Sequence, residues 1–251
     1  MTETGLLWQQ MRRSLAIARK DIRIYYSKGP VVIFGILFPV FLFLSFTIGR
    51  HLSVDSMIPG LLGMILFFTA TSISPIVVPW EAQARTLERL MSCPVRLETI
   101  IVGDVLASFA FGMAISLVPI IIGLALGVTV SSPAILALAV ILAALCFASL
   151  GNVFSIPPTN MPSTVNMIAS VVKFPVVFIS GIFIPLDELP LWGQAIAYIS
   201  PLTYFTDIAR GCIQGRGHLP LAVDFGALIA FTLLFLLVAM KLHQRTMPRR
   251  I

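Results

Sequence analysis

Long apolar runs separated by short polar ones dominate the chain, and most are close to the roughly 20 residues that a helix needs to cross about 30 Å of hydrocarbon. The runs are Val31–Ile48, Ile58–Val78, Asp104–Val128, Ala134–Phe154, Val165–Ile184 and Ala222–Met240. They predict an all-α integral membrane protein with six transmembrane helices, the first being the shortest. The N-terminal segment keeps a helical period of its own. Across residues 5–28, Leu7, Met11, Ala18, Ile22 and Tyr25 recur at steps of three or four residues or their multiples, while Arg12, Arg13, Arg19, Lys20 and Arg23 take the other directions. An amphipathic helix lying along the inner membrane surface has this pattern. Its Trp8, Tyr25 and Tyr26 suit the headgroup layer, its cations suit anionic lipid, and Gly29-Pro30 ends it.

Three connecting segments carry further information. In Trp80–Glu98, Ala84, Leu87, Leu90 and Met91 form an apolar stripe, Glu81 precedes Arg85 by four residues, and Pro94 closes the run. This predicts a short amphipathic helix below the membrane whose stripe docks on another protein. Ser155–Thr164 is uncharged and proline-rich, a stiff turn, and Thr129–Pro133 closes a tight hairpin. From Pro185 to Pro220 the pattern changes. Asp187 and Glu188 precede Pro190, a favourable helix start, but the apolar stretch that follows is too short to span. Ser200-Pro201 breaks it and opens a second short helix that ends at Gly211. Two such helices between spans five and six predict a re-entrant hairpin in the outer leaflet, where backbone must be buried in protein or line a cavity.

Charge turns this pattern into an orientation. Of the seventeen Lys and Arg residues, thirteen fall in the N-terminal arm, the loop after span two and the C-terminal tail; only Arg50, Arg210 and Arg216 fall on the other side, and Lys173 lies within span five. By the positive-inside rule both termini are cytoplasmic. The net charge of +6 is thereby explained by topology, and no nucleic-acid partner is expected. No cleavage pattern follows the first run, so a removable signal peptide is not expected. Cys93, Cys146 and Cys212 fall in a loop, a span and the outer segment, which excludes pairing within one copy, and no spacing suits a metal. Ionisable groups within the spans are almost confined to Asp104, at the inner end of span three, and Lys173, which is expected to snorkel toward the cytoplasm. Ser108, Gly112 and Ser116, and Ala139, Ala143, Ala144 and Ala148, favour close helix packing within a subunit or between copies. Phosphate-binding loops, nucleophile elbows and zinc-protease motifs are absent, and His51, His218 and His243 are far apart.

Four stretches together bear a family likeness: RKDIRIYYSKGP (Arg19–Pro30), WEAQARTLERLMSCPV (Trp80–Val95), FPVVFISGIFIPLDELP (Phe174–Pro190) and ISPLTYFTDIARG (Ile199–Gly211). The chain resembles the ABC-2 type of ABC-transporter permease, the membrane subunit of exporters for drugs, polysaccharides and lipo-oligosaccharides. The resemblance implies two parts, a connecting helix over residues 1–29 and a six-helix permease domain over 30–251. It makes residues 80–98 a coupling loop, with Glu81, Arg85, Thr86, Leu87, Glu88 and Leu90 toward an ATP-binding subunit. It makes residues 185–220 an outer gate, with Pro190, Trp192, Pro201, Tyr204 and Phe205 at the exit. Arg85 departs from the family, which usually has glycine before Thr86.

The resemblance further implies a multi-pass protein of the cell membrane, dimeric with a second copy or a paralogous permease and contacting membrane lipid. ATP and magnesium belong to the separate ATPase; no cofactor, metal or catalytic residue is expected in this chain. Lys173, Phe174 and Pro175 are candidate pathway or interface positions. Spans with many Phe and no Tyr point to a hydrophobic or amphiphilic cargo, a drug, lipid or glycolipid, rather than a glycan. An ion-coupled secondary transporter is the main alternative, disfavoured by the scarcity of buried charge and the lack of an inverted repeat. A membrane assembly scaffold without transport activity is the other.

Overall fold

The computed structural model describes residues 3–26, 28–48, 53–93, 95–157 and 159–246; Arg50, His51, Pro94, Arg249 and Arg250 lie outside them, as do the side chains of Leu7 and Met91. The described residues are mainly helical, joined by short turns, with no strand among them. In chain order the α-helices are α1 (Glu3–Tyr25), α2 (Gly29–Val32), α3 (Phe38–Thr47), α4 (Val54–Ser72), α5 (Ser74–Gln83), α6 (Thr86–Ser92), α7 (Leu97–Ala125), α8 (Pro133–Phe154), α9 (Pro162–Ile179), α10 (Leu191–Ala197), α11 (Pro201–Gln214) and α12 (Leu221–Thr246). A π-helical stretch, Ile33–Leu37, joins α2 to α3.

Among the described residues, five runs are long and apolar enough to cross a membrane: Val54–Gln83, Leu97–Ala125, Pro133–Phe154, Pro162–Ile179 and Leu221–Thr246. The first predicted span corresponds to the shorter apolar stretch Ile33–Ser45. Its π turn has a local cause. Pro39 has no N–H for the Gly35 carbonyl, and the ladder shifts register so that the Phe38 N–H reaches Ile33 O.

Val54–Gln83 is the central helix, buried along nearly its whole length, and α7, α8 and α11 surround it. Small residues allow this. A Cβ on Gly112 of α7 would come within 3.1 Å of the Ala70 side chain, and one on Gly63 of α4 within 2.9 Å of Thr206 on α11. Ala139, Ala143, Ala144 and Ala148 of α8 are all buried, as are Ser108 and Ser116 of α7. The small-residue stripes therefore serve packing inside the subunit. Phe67, Phe147 and Phe205 fill the space between these helices in edge-to-face pairs with centroids 5.2 and 6.3 Å apart.

The amphipathic N-terminal helix lies along α7 and not against it at one point only. Ser14, Ile17, Ala18, Asp21 and Tyr25 are buried on its protein side, and Ile17 occupies the space that a side chain on Gly103 would need. Met11 and Ile22, expected on the same stripe as Ala18 and Tyr25, are instead exposed together with Trp8 and Leu15. The helix thus has two adjacent apolar faces, one against protein and one outward.

Candidate functional site

At one end of the central helix, α1, α5 and α6 meet in a corner held by polar and aromatic contacts. Lys20 of α1 pairs with Asp21, 3.0 Å away, and with Glu81 in the last turn of α5. Burial works against the ammonium, but the two carboxylates outweigh it and hold the Lys20 pKa above the ordinary lysine range. Tyr25 stacks on Trp80 with centroids 5.5 Å apart, and Lys28 sits over both rings, 4.8 and 4.2 Å away. Burial, reinforced by Glu81, pushes the Tyr25 hydroxyl up to about 12, so the ring stays neutral. Tyr26 donates to Ser108 at 3.0 Å, and Ser108 lies 2.5 Å from Ser74, tying α1 to both α7 and α5. Asp104 is buried beside Asp21 in the same corner.

The predicted coupling loop divides differently from expectation. Trp80–Gln83 is the end of α5, and only α6 is the separate short helix. Leu87, expected to face a partner, is 1% exposed and packs on Val78 with Ala82 and Leu97 around it. Glu81 is likewise turned inward, to Lys20. Leu87 therefore fastens α6 to this chain's own helices, where it finds apolar partners, whereas Ala84 of the same stripe is exposed. Arg85, Thr86 and Glu88, together with Arg89, face outward, and Leu90 is half-buried.

Beside this corner opens a groove of about 520 Å³ between the π-helical stretch, α5 and the start of α9. Phe34, Ile76, Trp80 and Met167 supply apolar walls; Ser72, Ser163, Asn166 and Ser170 supply hydroxyls and one amide. Its size and mixture suit a small amphiphile. Sequence reasoning missed it. The available signal was the helical spacing of Ser163, Asn166 and Ser170 in an otherwise apolar span.

Lys173 does not snorkel. It is 2% exposed and donates to the Thr71 carbonyl at 2.8 Å. Pro75, four residues after Thr71, has no N–H, so that carbonyl is the one a regular helix would leave orphaned. The ammonium fills the gap at the α4–α5 break and ties α9 to the central helix. Phe174 neighbours Phe38 and Phe68, with centroids 5.4 and 6.3 Å away, and Pro175 lies within α9.

At the other end of the central helix, α10 and α11 are the two short helices expected on either side of Ser200-Pro201. The Ser200 hydroxyl caps α11, accepting from Leu202 N at 3.2 Å, and lies 2.9 Å from Ser180. Arg210 donates to the Gly181 carbonyl, and Asp207 accepts from the backbone of His218 and Leu219. Phe205, predicted at an exit, is a core residue next to Gly63 and Phe147. Tyr204 donates to Tyr198 O at 2.8 Å. Trp192 is exposed, with Pro190 and Leu191 beside it.

The pattern of the family described as "ABC-2 type transporter" matches residues 7–213, from the amphipathic arm to the end of α11. The chain belongs to the ABC-2 type transporter family. It is 27% identical over 162 residues to the inner membrane transport permease YadH of Escherichia coli K12, covering 64% of this chain and 63% of that protein. It is 31% identical over 169 residues to nodulation protein J of Rhizobium leguminosarum bv. trifolii, covering 66% and 63%. The matched region thus spans somewhat under two thirds of either relative.

Within this family framework the departure at Arg85 has a physical resolution. Arg85 has φ 53° and ψ 23°, and is the one non-glycine residue with positive φ among those described. It adopts the left-handed conformation that glycine takes freely, and so keeps the sharp turn between α5 and α6.

Proposed function

We propose that the chain is the membrane-spanning permease subunit of an ATP-driven exporter, working with a separate ATP-binding subunit and with a second copy of itself or a paralogue. Six spans cross the membrane, the shortest through α2 and α3, and both termini are cytoplasmic, as the cation asymmetry requires. The family match over residues 7–213 is the observation that carries the reading.

The corner supports the mechanical part. Because Leu87 packs α6 onto Val78 and Glu81 is paired with Lys20, a push on α6 passes to the central helix and to α1 together. The docking surface is then Arg85, Thr86, Glu88 and Arg89, with Leu87 serving as its anchor. The groove at Ser72, Asn166 and Ser170 receives a hydrophobic or amphiphilic cargo from the inner leaflet, and α10 with α11 closes the far end as a re-entrant hairpin. ATP-driven approach of two ATP-binding subunits would alternate access to this pathway.

The docking step is tested by purifying the chain with its ATP-binding subunit. Exchanging the charges on α6 by Glu88→Lys with Arg89→Glu should release that subunit while the chain stays monodisperse. Retention of the subunit with coupled hydrolysis would exclude α6 as the docking helix.

A further inference from the structure

A second groove, of about 650 Å³, runs between α1 and α7 and shares no lining residue with the cargo groove. Leu15 and Ile22 of α1 and Leu106 and Phe109 of α7 make it apolar; Arg19 and Arg23 stand on its edge. Four cations in the second half of α1 and just after it fall into two sets. Lys20 and Lys28 face the protein and are engaged by Asp21, Glu81, Tyr25 and Trp80. Arg19 and Arg23, both exposed, have no carboxylate partner among the described residues.

Helical geometry places these two arginines next to the outward apolar stripe. At 100° per residue, Trp8, Met11, Leu15 and Ile22 share one sector, and Arg19 and Arg23 follow directly beside it. Trp8 is 63% exposed and Leu15 57%, an arrangement suited to acyl chains and not to water. A single molecule satisfying both halves must offer an anion at the level of the guanidinium groups and a hydrocarbon tail below it. Forked N–H donors suit phosphate oxygens, and the floor of Leu106 and Phe109 suits an acyl chain.

We propose that this groove is a specific site for one anionic phospholipid, its phosphate held by Arg19 and Arg23 and one acyl chain laid along α7. The lipid would brace α1, and through Lys20 and Glu81 the corner that carries α6. The site is independent of the cargo groove and of any ATP-binding partner.

The full chain, incorporated into vesicles of equal phosphatidylglycerol and phosphatidylcholine and then extracted in detergent, can be examined by native mass spectrometry for retained lipid. The wild type should retain one phosphatidylglycerol in preference to phosphatidylcholine. Arg19→Gln with Arg23→Gln should lower that preference roughly thirtyfold, since each of the two cations near an anionic headgroup adds about one kcal/mol. Arg12→Gln, on the same helix but outside the groove, should leave it unchanged, and Ala110→Trp should expel the lipid by filling the floor. Excess glycerol 3-phosphate should not displace it. Equal retention of both lipids, an unchanged preference in the double variant, an equal loss in Arg12→Gln, or displacement by glycerol 3-phosphate would each overturn the proposal.

Discussion

Lys173 shows how a single side chain can be misjudged from hydropathy alone. A lysine eight residues into an apolar span suggests snorkelling, yet the deciding residue, Pro75, is about a hundred positions away and on another helix. A proline deletes one donor, and the stranded carbonyl makes a low-dielectric site where an ammonium is welcome. Lys173→Met should therefore destabilise the chain by about 1–3 kcal/mol, the cost of an unmet buried acceptor. The same change in a Pro75→Ala background should cost clearly less, because alanine restores the N–H to Thr71; thermal unfolding of the four variants in detergent measures the difference. Equal costs in both backgrounds would separate Lys173 from the proline gap. Lys20 carries a pH prediction. Its pKa is raised in the folded chain, so the stabilisation it gives is full below the ordinary value of 10.5 and is lost as pH rises past it. Fluorescence of Trp80, with Trp8 and Trp192 replaced by Phe, should stay constant through neutral pH and change only on the alkaline side.

Among the elements, the helices were legible and their faces less so. Run lengths, Gly29-Pro30 and Ser200-Pro201 marked where helices start and stop, because bilayer thickness and proline act locally. Which side of α1 or α6 meets protein depends on neighbours distant in sequence. Leu87 looked like a docking residue since a stripe on a loop helix has no visible partner until Val78 and Leu97 are in place. Leu87→Asp should accordingly act through stability, putting a carboxylate into an apolar contact and costing roughly 2–4 kcal/mol. A folded, stable Leu87→Asp chain that merely fails to bind its ATPase would restore the docking role. At the turn before α6, Arg85→Gly should raise stability by up to about 1 kcal/mol or leave it unchanged, whereas Arg85→Val should lower it, because a β-branched residue resists the left-handed conformation. Thermal unfolding compares the two.

In the whole molecule, the proposed mechanism needs a corner that receives force, a central helix that carries it, and a groove that opens beside that helix. Family membership and five of the six predicted spans were readable from sequence; the groove was not, since it forms only where the π-helical stretch, α5 and α9 converge. Its response to ATP is the central claim. Ser170→Cys, in a chain whose one exposed cysteine is removed by Cys93→Ser, places a thiol in the groove while Cys146 and Cys212 stay buried. With the ATP-binding subunit present in proteoliposomes, the rate at which a membrane-impermeant maleimide labels that thiol should change several-fold when ATP is trapped, and the change should vanish when Glu88→Lys and Arg89→Glu disrupt α6. A labelling rate that is the same with and without trapped ATP would contradict an ATP-driven pathway through this groove.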